Sequence, residues 1–177
     1  MFANDWNDWN EFLCAGVVLL LAAAATGAAE RFPDYPVRPT GQYAVHVERS
    51  GVSIGAEPIE DLNDQKAYFD AKLTLRGFIP VFVLIRNDST VNTFLFDQTN
   101  VGFGGAFASF RPDVGLNKIQ DNLVKKAIKS ATLLPGSSVH GFLYVPVPKK
   151  GPREKVHLQV PITKAGTNET FVLNLYF

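Results

Sequence analysis

A single cysteine, Cys14, is the only thiol in the 177 residues, so no disulfide can form within the chain. Histidines are as scarce. His46, His140 and His157 stand far apart, and only Glu48, two residues after His46, offers a neighbouring ligand, so no contiguous metal-binding motif is present. Lysine and arginine together match aspartate and glutamate at 17 each, which argues against a nucleic-acid binder that works by bulk charge. The glycine-rich stretch Gly102-Phe-Gly-Gly105 lacks both the lysine of a phosphate-cradling loop and the third glycine of a dinucleotide loop. Gly51-Val-Ser53-Ile-Gly55 matches the G-x-S-x-G pattern of a nucleophile elbow, but Val52, Ile54 and Ala56 continue it as a strand and Pro58 blocks the helix that should come after it. The sequence therefore predicts no catalytic residue, no cofactor and no metal.

Basic residues are also missing from the start: no lysine or arginine precedes Arg31, while Asp5, Asp8 and Glu11 supply three carboxylates. An uncharged run then extends from Phe12 to Ala29 and ends in small residues. Three readings compete for it: a secretory signal cut after Ala28 or Ala29, a membrane anchor at the short limit for spanning, and a buried helix. The first two place the rest of the chain at or beyond a membrane. Cys14 stands at the front of the run, where a lipid-bearing cysteine would not, and reads as a small apolar residue. Charge gathers at the other end, where residues 114–177 hold nine lysines and arginines against three acids.

Hydrophobic residues make up 46% of the chain, enough for a real core in one domain. Residues 30–42 hold Pro33, Pro36 and Pro39 without a period and read as a linker between the apolar segment and a domain at 43–177. Tyr43 to Glu48 and Gly51 to Ala56 alternate as a strand pair about an Arg49-Ser-Gly51 turn. Glu60 to Phe69 predicts a short helix that packs Tyr68 and Phe69 onto a sheet. From Val81 to Ile85 both alternation sets are apolar, which predicts a central strand covered on both faces. Pro80 and Gly77 set its beginning, and Asn87 ends it through an Asx turn.

Shorter strands are expected at Thr93 to Asp97 and Val101 to Phe103, and longer ones at Val139 to Val147, Val156 to Thr163 and Thr170 to Phe177. Leu134-Pro-Gly-Ser-Ser138 reads as a turn, and Lys164 to Glu169 as a hairpin loop. Leu116 to Lys129 repeats at helical spacing, with Leu116, Ile119, Leu123, Val124, Ala127 and Ile128 on one face. That helix is the expected outer cover of the central strand. About eight strands spaced by turns, with one or two short helical insertions and no βαβ alternation, predict a mainly β, antiparallel sandwich preceded by an N-terminal apolar helix.

The run Ser53-Ile-Gly-Ala-Glu-Pro58, the helix with Tyr68-Phe69, Gly77-Phe-Ile-Pro-Val-Phe-Val-Leu-Ile-Arg-Asn87, and Leu134-Pro-Gly with Gly141-Phe-Leu-Tyr144 carry a resemblance. With its "G-x-x-P-V-x-V-x-I-x-N" strand and later "P-G-x-x-x-x-G-F-x-Y" strand, the chain resembles a family of exported bacterial proteins of unknown function. The resemblance spans most of residues 43–177 and implies an immunoglobulin-like β-sandwich, without implying any catalytic set.

Function is expected accordingly. The leading expectation is a non-catalytic, exported or membrane-tethered module of the periplasm or cell envelope, binding an envelope protein or surface component and no nucleic acid. A second is a binder of anionic lipid or glycan surfaces through Lys118, Lys125, Lys126 and Lys129 on the helix together with Lys149, Lys150 and Arg153 in a basic loop. A third is an enzyme whose site is assembled from loops.

Overall fold

The computed structural model describes residues 32–103, 106–107, 117–146 and 157–177, which belong to one compact unit, Phe32–Phe177. The apolar run with Cys14 and the basic loop at 149–153 lie outside the described residues. In chain order the strands are β1 (Val45–Arg49), β2 (Val52–Pro58), β3 (Phe78–Asn87), β4 (Phe94–Phe96), β5 (Gly102–Phe103), β6 (Ala106–Phe107), β7 (Ala131–Leu133), β8 (Ser138–Pro146), β9 (His157–Lys164) and β10 (Thr170–Tyr176). Helix α1 (Leu62–Phe69) lies between β2 and β3, and α2 (Asn117–Lys126) between β6 and β7. The ten strands among the described residues exceed the expected eight by β6 and β7, which at two and three residues are too short to show a period.

All pairings among the described strands are antiparallel and form two sheets. The first has the order β1-β2-β3-β8. In the second, β9 pairs with β10 along one side and with β4 and β5 along the other, and these extend to β7 and β6. The two hairpins read from the sequence are present: β1 turns into β2 with Ser50 and Gly51 at positive φ, and β9 into β10 with Gly166 and Asn168 likewise. A mainly β sandwich results.

Alternation along β3 divides the interior in two. Ile79, Val81, Val83 and Ile85 join Val52 and Ile54 of β2, Leu143 and Val145 of β8, and Leu158, Val160, Ile162, Leu173 and Leu175 of the second sheet in the inter-sheet core. Phe82 and Leu84 point the other way, into a separate cluster outside the first sheet. Both faces are buried, as the doubly apolar sequence requires.

The outer cover includes the predicted helix but is broader than the sequence predicts. Tyr35, Tyr43, Phe69, Leu73, Leu123 and Phe142 share the outer cluster with Phe82 and Leu84, so the cover is built by several elements, of which α2 is one. Residues from Phe32 to Gln42 are no free tether: the Tyr35 ring lies 4.6 Å from Phe82 and 5.7 Å from Phe142, and Tyr43 stacks on Phe82 at 5.7 Å. Each such ring removes roughly 150 to 250 Å² from water when fully buried, an incentive to dock that the prolines do not oppose, since Pro39 keeps its extended φ of −53° and ψ of 144°. Gly55 makes room for this strap, since a Cβ there would stand 2.3 Å from the Tyr43 ring and 2.7 Å from the Thr40 carbonyl oxygen.

Helix α2 ends three residues earlier than its periodicity predicts, at Lys126. Ala127 bridges to Phe142 in parallel, and the Ile128 amide donates to the Phe142 carbonyl at 3.0 Å. Gly141 permits the approach, because a Cβ would lie 2.5 Å from the Ile128 nitrogen. Leaving the helix sends Ile128 into the inter-sheet core while Leu123 and Ala127 stay with the outer cluster. Val124, expected on the buried face, is 49% exposed.

Polar groups fix the ends. The Asp61 side chain caps α1 by accepting from the Asn63 and Asp64 amides at 2.7 and 2.9 Å. Buried Gln65 donates to the Ile59 carbonyl and the Thr74 hydroxyl, both at 2.7 Å, and accepts from the Thr74 amide at 3.0 Å. Tyr144 donates to the Leu123 carbonyl at 2.9 Å, and burial raises its pKa. Asn87, wholly buried, accepts from the Ser89 amide at 2.9 Å, forming the expected Asx turn, and donates to the carbonyls of Asn92 at 2.7 Å and Leu133 at 2.9 Å. It therefore pins the first sheet to β7 of the second. Replacing Asn87 with alanine strands these two carbonyls, and urea unfolding should show a loss of about 3 kcal/mol. Ser89→Ala, which removes a half-buried hydroxyl that accepts from the Val91 and Asn92 amides at 3.2 and 2.9 Å, should cost about 1 kcal/mol. Equal costs would contradict the pinning role.

Candidate functional site

Glu57 and Pro58 end β2 with Glu57 on the outer face, two alternation steps beyond Ser53 and one beyond Gly55. The strap brings Tyr35 and Arg38 to it. Tyr35 donates its hydroxyl to Glu57 at 2.8 Å, and Arg38 forms an ion pair with the same carboxylate oxygen. Arg38 also donates its backbone amide to the Tyr43 hydroxyl at 2.8 Å, and its guanidinium lies 4.8 Å from the Tyr43 ring centre and 6.0 Å from that of Tyr35. Burial first, and then the hydrogen bond to Glu57, raise the Tyr35 pKa, so the phenol stays neutral. For Arg38 burial is the largest single influence and works to lower the pKa, but Glu57, Tyr35 and Tyr43 together raise it, and the guanidinium remains charged.

An open cleft of about 800 Å³ lies beside this group. Tyr35, Pro36 and Arg38 of the strap, Glu57 to Ile59 at the end of β2, and Glu60, Asp61, Asp64 and Tyr68 around α1 form much of it. Ala44 and Val45, with Tyr176 and Phe177 at the end of β10, complete it. The rings are held in place: Tyr68 packs edge-on to Tyr35 at 5.3 Å, and Tyr176 stacks on His157 at 4.3 Å and 12°. Glu60, Asp61 and Asp64 are exposed. Backbone hydrogen bonds from Asp64 and Asn63 depress the Asp61 pKa and keep that carboxylate ionised.

The basic residues singled out from the sequence meet different fates. Lys126 is turned inward, donating to the carbonyls of Phe32 at 3.2 Å and Pro33 at 2.7 Å, with Asp34 at 3.3 Å; only 7% of its side chain is exposed. It clamps the strap rather than offering a charge to solvent. Lys125 and Lys129 are exposed, whereas the Lys118 side chain and Lys149, Lys150 and Arg153 lie outside the described residues. His46 and His140 are exposed on β1 and β8, and His157 is on β9. Among the described residues no three histidines, cysteines, aspartates or glutamates stand close enough to hold a metal ion. Ser53 of the G-x-S-x-G pattern is buried at the second position of β2, not poised on a strand-to-helix turn. Among the described residues no helix is long and apolar enough to cross a membrane.

Sequence reasoning passed over Tyr35, Arg38 and Glu57 because they are up to 22 residues apart and two of them sit in a proline-containing stretch. The usable signal was Gly55, an unexplained glycine inside a strand, which marks a close approach by something else. Tyr35→Phe keeps the ring packing and loses one hydrogen bond, so urea unfolding should show about 1 kcal/mol. Tyr35→Ala removes the ring and should cost about 2 to 3 kcal/mol. A negligible effect of Tyr35→Ala would mean that the strap does not contribute to the cover.

No protein-family model, curated protein or solved structure matches this chain.

Proposed function

We propose that the chain is a non-catalytic, exported or membrane-tethered module of a cell envelope, an immunoglobulin-like β-sandwich of the kind it resembles, whose ligand seats in the Tyr35 cleft. One observation carries the binding part of this reading: among the described residues the cleft is lined by tyrosines, carboxylates, one arginine and apolar residues, with no serine, threonine, cysteine, lysine or histidine. Such a surface can stack and hydrogen-bond a ligand but brings no nucleophile of the acyl-transfer kind. The motif residues support it from the other side. Asn87, Gly141 and Tyr144 are spent on holding the sheets and α2 together.

A second reading, contact with anionic lipid or glycan, draws on the exposure of Lys125 and Lys129. Its remaining basic residues are the undescribed Lys118 side chain and 149–153 loop, and Lys126 is engaged by the strap. Two measurements test the main proposal. N-terminal sequencing of the chain recovered from its own cells should find either a start at Ala29 or Glu30 in the envelope fraction or an intact chain in the membrane fraction. Capture from envelope extract should then yield a partner that Glu60→Gln with Tyr176→Ala loses and Lys125→Glu with Lys129→Glu retains. An unprocessed chain in the cytosol contradicts the export claim, and capture sensitive only to the lysines favours the second reading.

A further inference from the structure

The cleft already shows which charge it accepts. Arg38, the one cation lining it among the described residues, is held against a carboxylate and a tyrosine face, with Glu57 as its ion-pair partner and the Tyr43 ring centre 4.8 Å away. That pair is internally neutral. Beyond it, Glu60, Asp61 and Asp64 line the same cleft, are exposed, and make no ion pair among the described residues. The carboxylate of Asp61 is occupied by backbone amides at the start of α1, which leaves Glu60 and Asp64 with free acceptor capacity. Tyr68 and Tyr176 line the same cleft, the latter 61% exposed and stacked on His157. A cleft lined by carboxylates and tyrosine rings can attract a cation in two ways, by charge and by the negative face of a ring. At about 800 Å³ the cleft falls within the usual range for small-molecule sites, and its open side leaves room for an extended chain.

We infer that the cleft binds an organic cation, one or more primary ammonium groups on aliphatic stems, with the ammonium at Glu60 and Asp64 and the stem along Tyr68 and Tyr176. This rests on the reading of the cleft as the ligand site and names the class of ligand. Two sources carry that chemistry, a free polyamine and the lysine side chains of a basic peptide.

Titration calorimetry of the full chain in a non-ionic detergent separates them, with spermidine and tri-lysine as probes and their fully N-acetylated forms as uncharged controls. Spermidine or tri-lysine should bind, more weakly as salt rises, and the acetylated forms should not. Binding of spermidine alone assigns a polyamine, and tighter binding of tri-lysine assigns a peptide. Glu60→Gln with Asp64→Asn should weaken binding at least about ten-fold, and Tyr176→Ala about five-fold. Asp88→Asn, at the opposite end of β2 beside Arg86, should leave it unchanged. Absence of binding by both cations, or equal binding by the double variant, overturns the inference. If neither cation binds while capture of an envelope partner still depends on the cleft, the cation class falls and the cleft reading stands. If capture is also indifferent to the cleft, both fall.

Discussion

Strand β3 is apolar on both faces, and no arrangement of two sheets alone can satisfy that. A sandwich buries one face of each sheet and leaves the other to water. Here the inner face takes Val81, Val83 and Ile85 into the inter-sheet core, and Phe82 and Leu84 remain to be hidden. The chain meets this demand with material from both sides of β3 in sequence. The strap before β1, the short helix α1 and the end of α2 converge on the outer face, where Tyr35 packs on Phe82, Phe69 packs on Phe142 and Leu123 joins their cluster. At Gly55 and Gly141 neighbouring chain comes so close to the sheet that a Cβ would not fit.

The same cover makes the cleft. Outward positions of β2 run Ser53, Gly55, Glu57, so the alternation that clears a seat for Tyr43 delivers a carboxylate one step further along. Tyr35 and Arg38 come with it because the strap, once anchored by Tyr43, crosses the end of β2 at that carboxylate. Fold and candidate site are thus one construction. A change that frees the strap removes both the outer cover of β3 and one wall of the cleft.

Local rules made much of this legible. The doubly apolar run from Val81 to Ile85, the Asx turn at Asn87, the two glycine-containing hairpins and the aromatic end of α1 all depend on residues close in sequence, and each is found. The features that escaped depend on partners far away. Three prolines in a stretch without period look like a linker until Phe82 and Phe142 provide a surface for Tyr35. Helical spacing carries through Ile128, yet pairing with β8 ends α2 at Lys126, because the Phe142 carbonyl competes for the Ile128 amide. Lys126 looks like part of a solvated basic face, and only the strap's carbonyls explain its burial. Of the candidate site, the basic helix was visible in composition, whereas the Tyr35, Arg38 and Glu57 group exists only once the strap has docked.

The dependence of β3 on its outer cover is the central claim, and urea unfolding of two chains tests it most directly, one beginning at Glu30 and the other at Ala44. Removal of Tyr35, Arg38 and Tyr43 together should abolish cooperative unfolding or lower stability by about 5 kcal/mol, the sum expected for two packed rings and their hydrogen bonds. Coincident unfolding curves for the two chains would contradict that dependence.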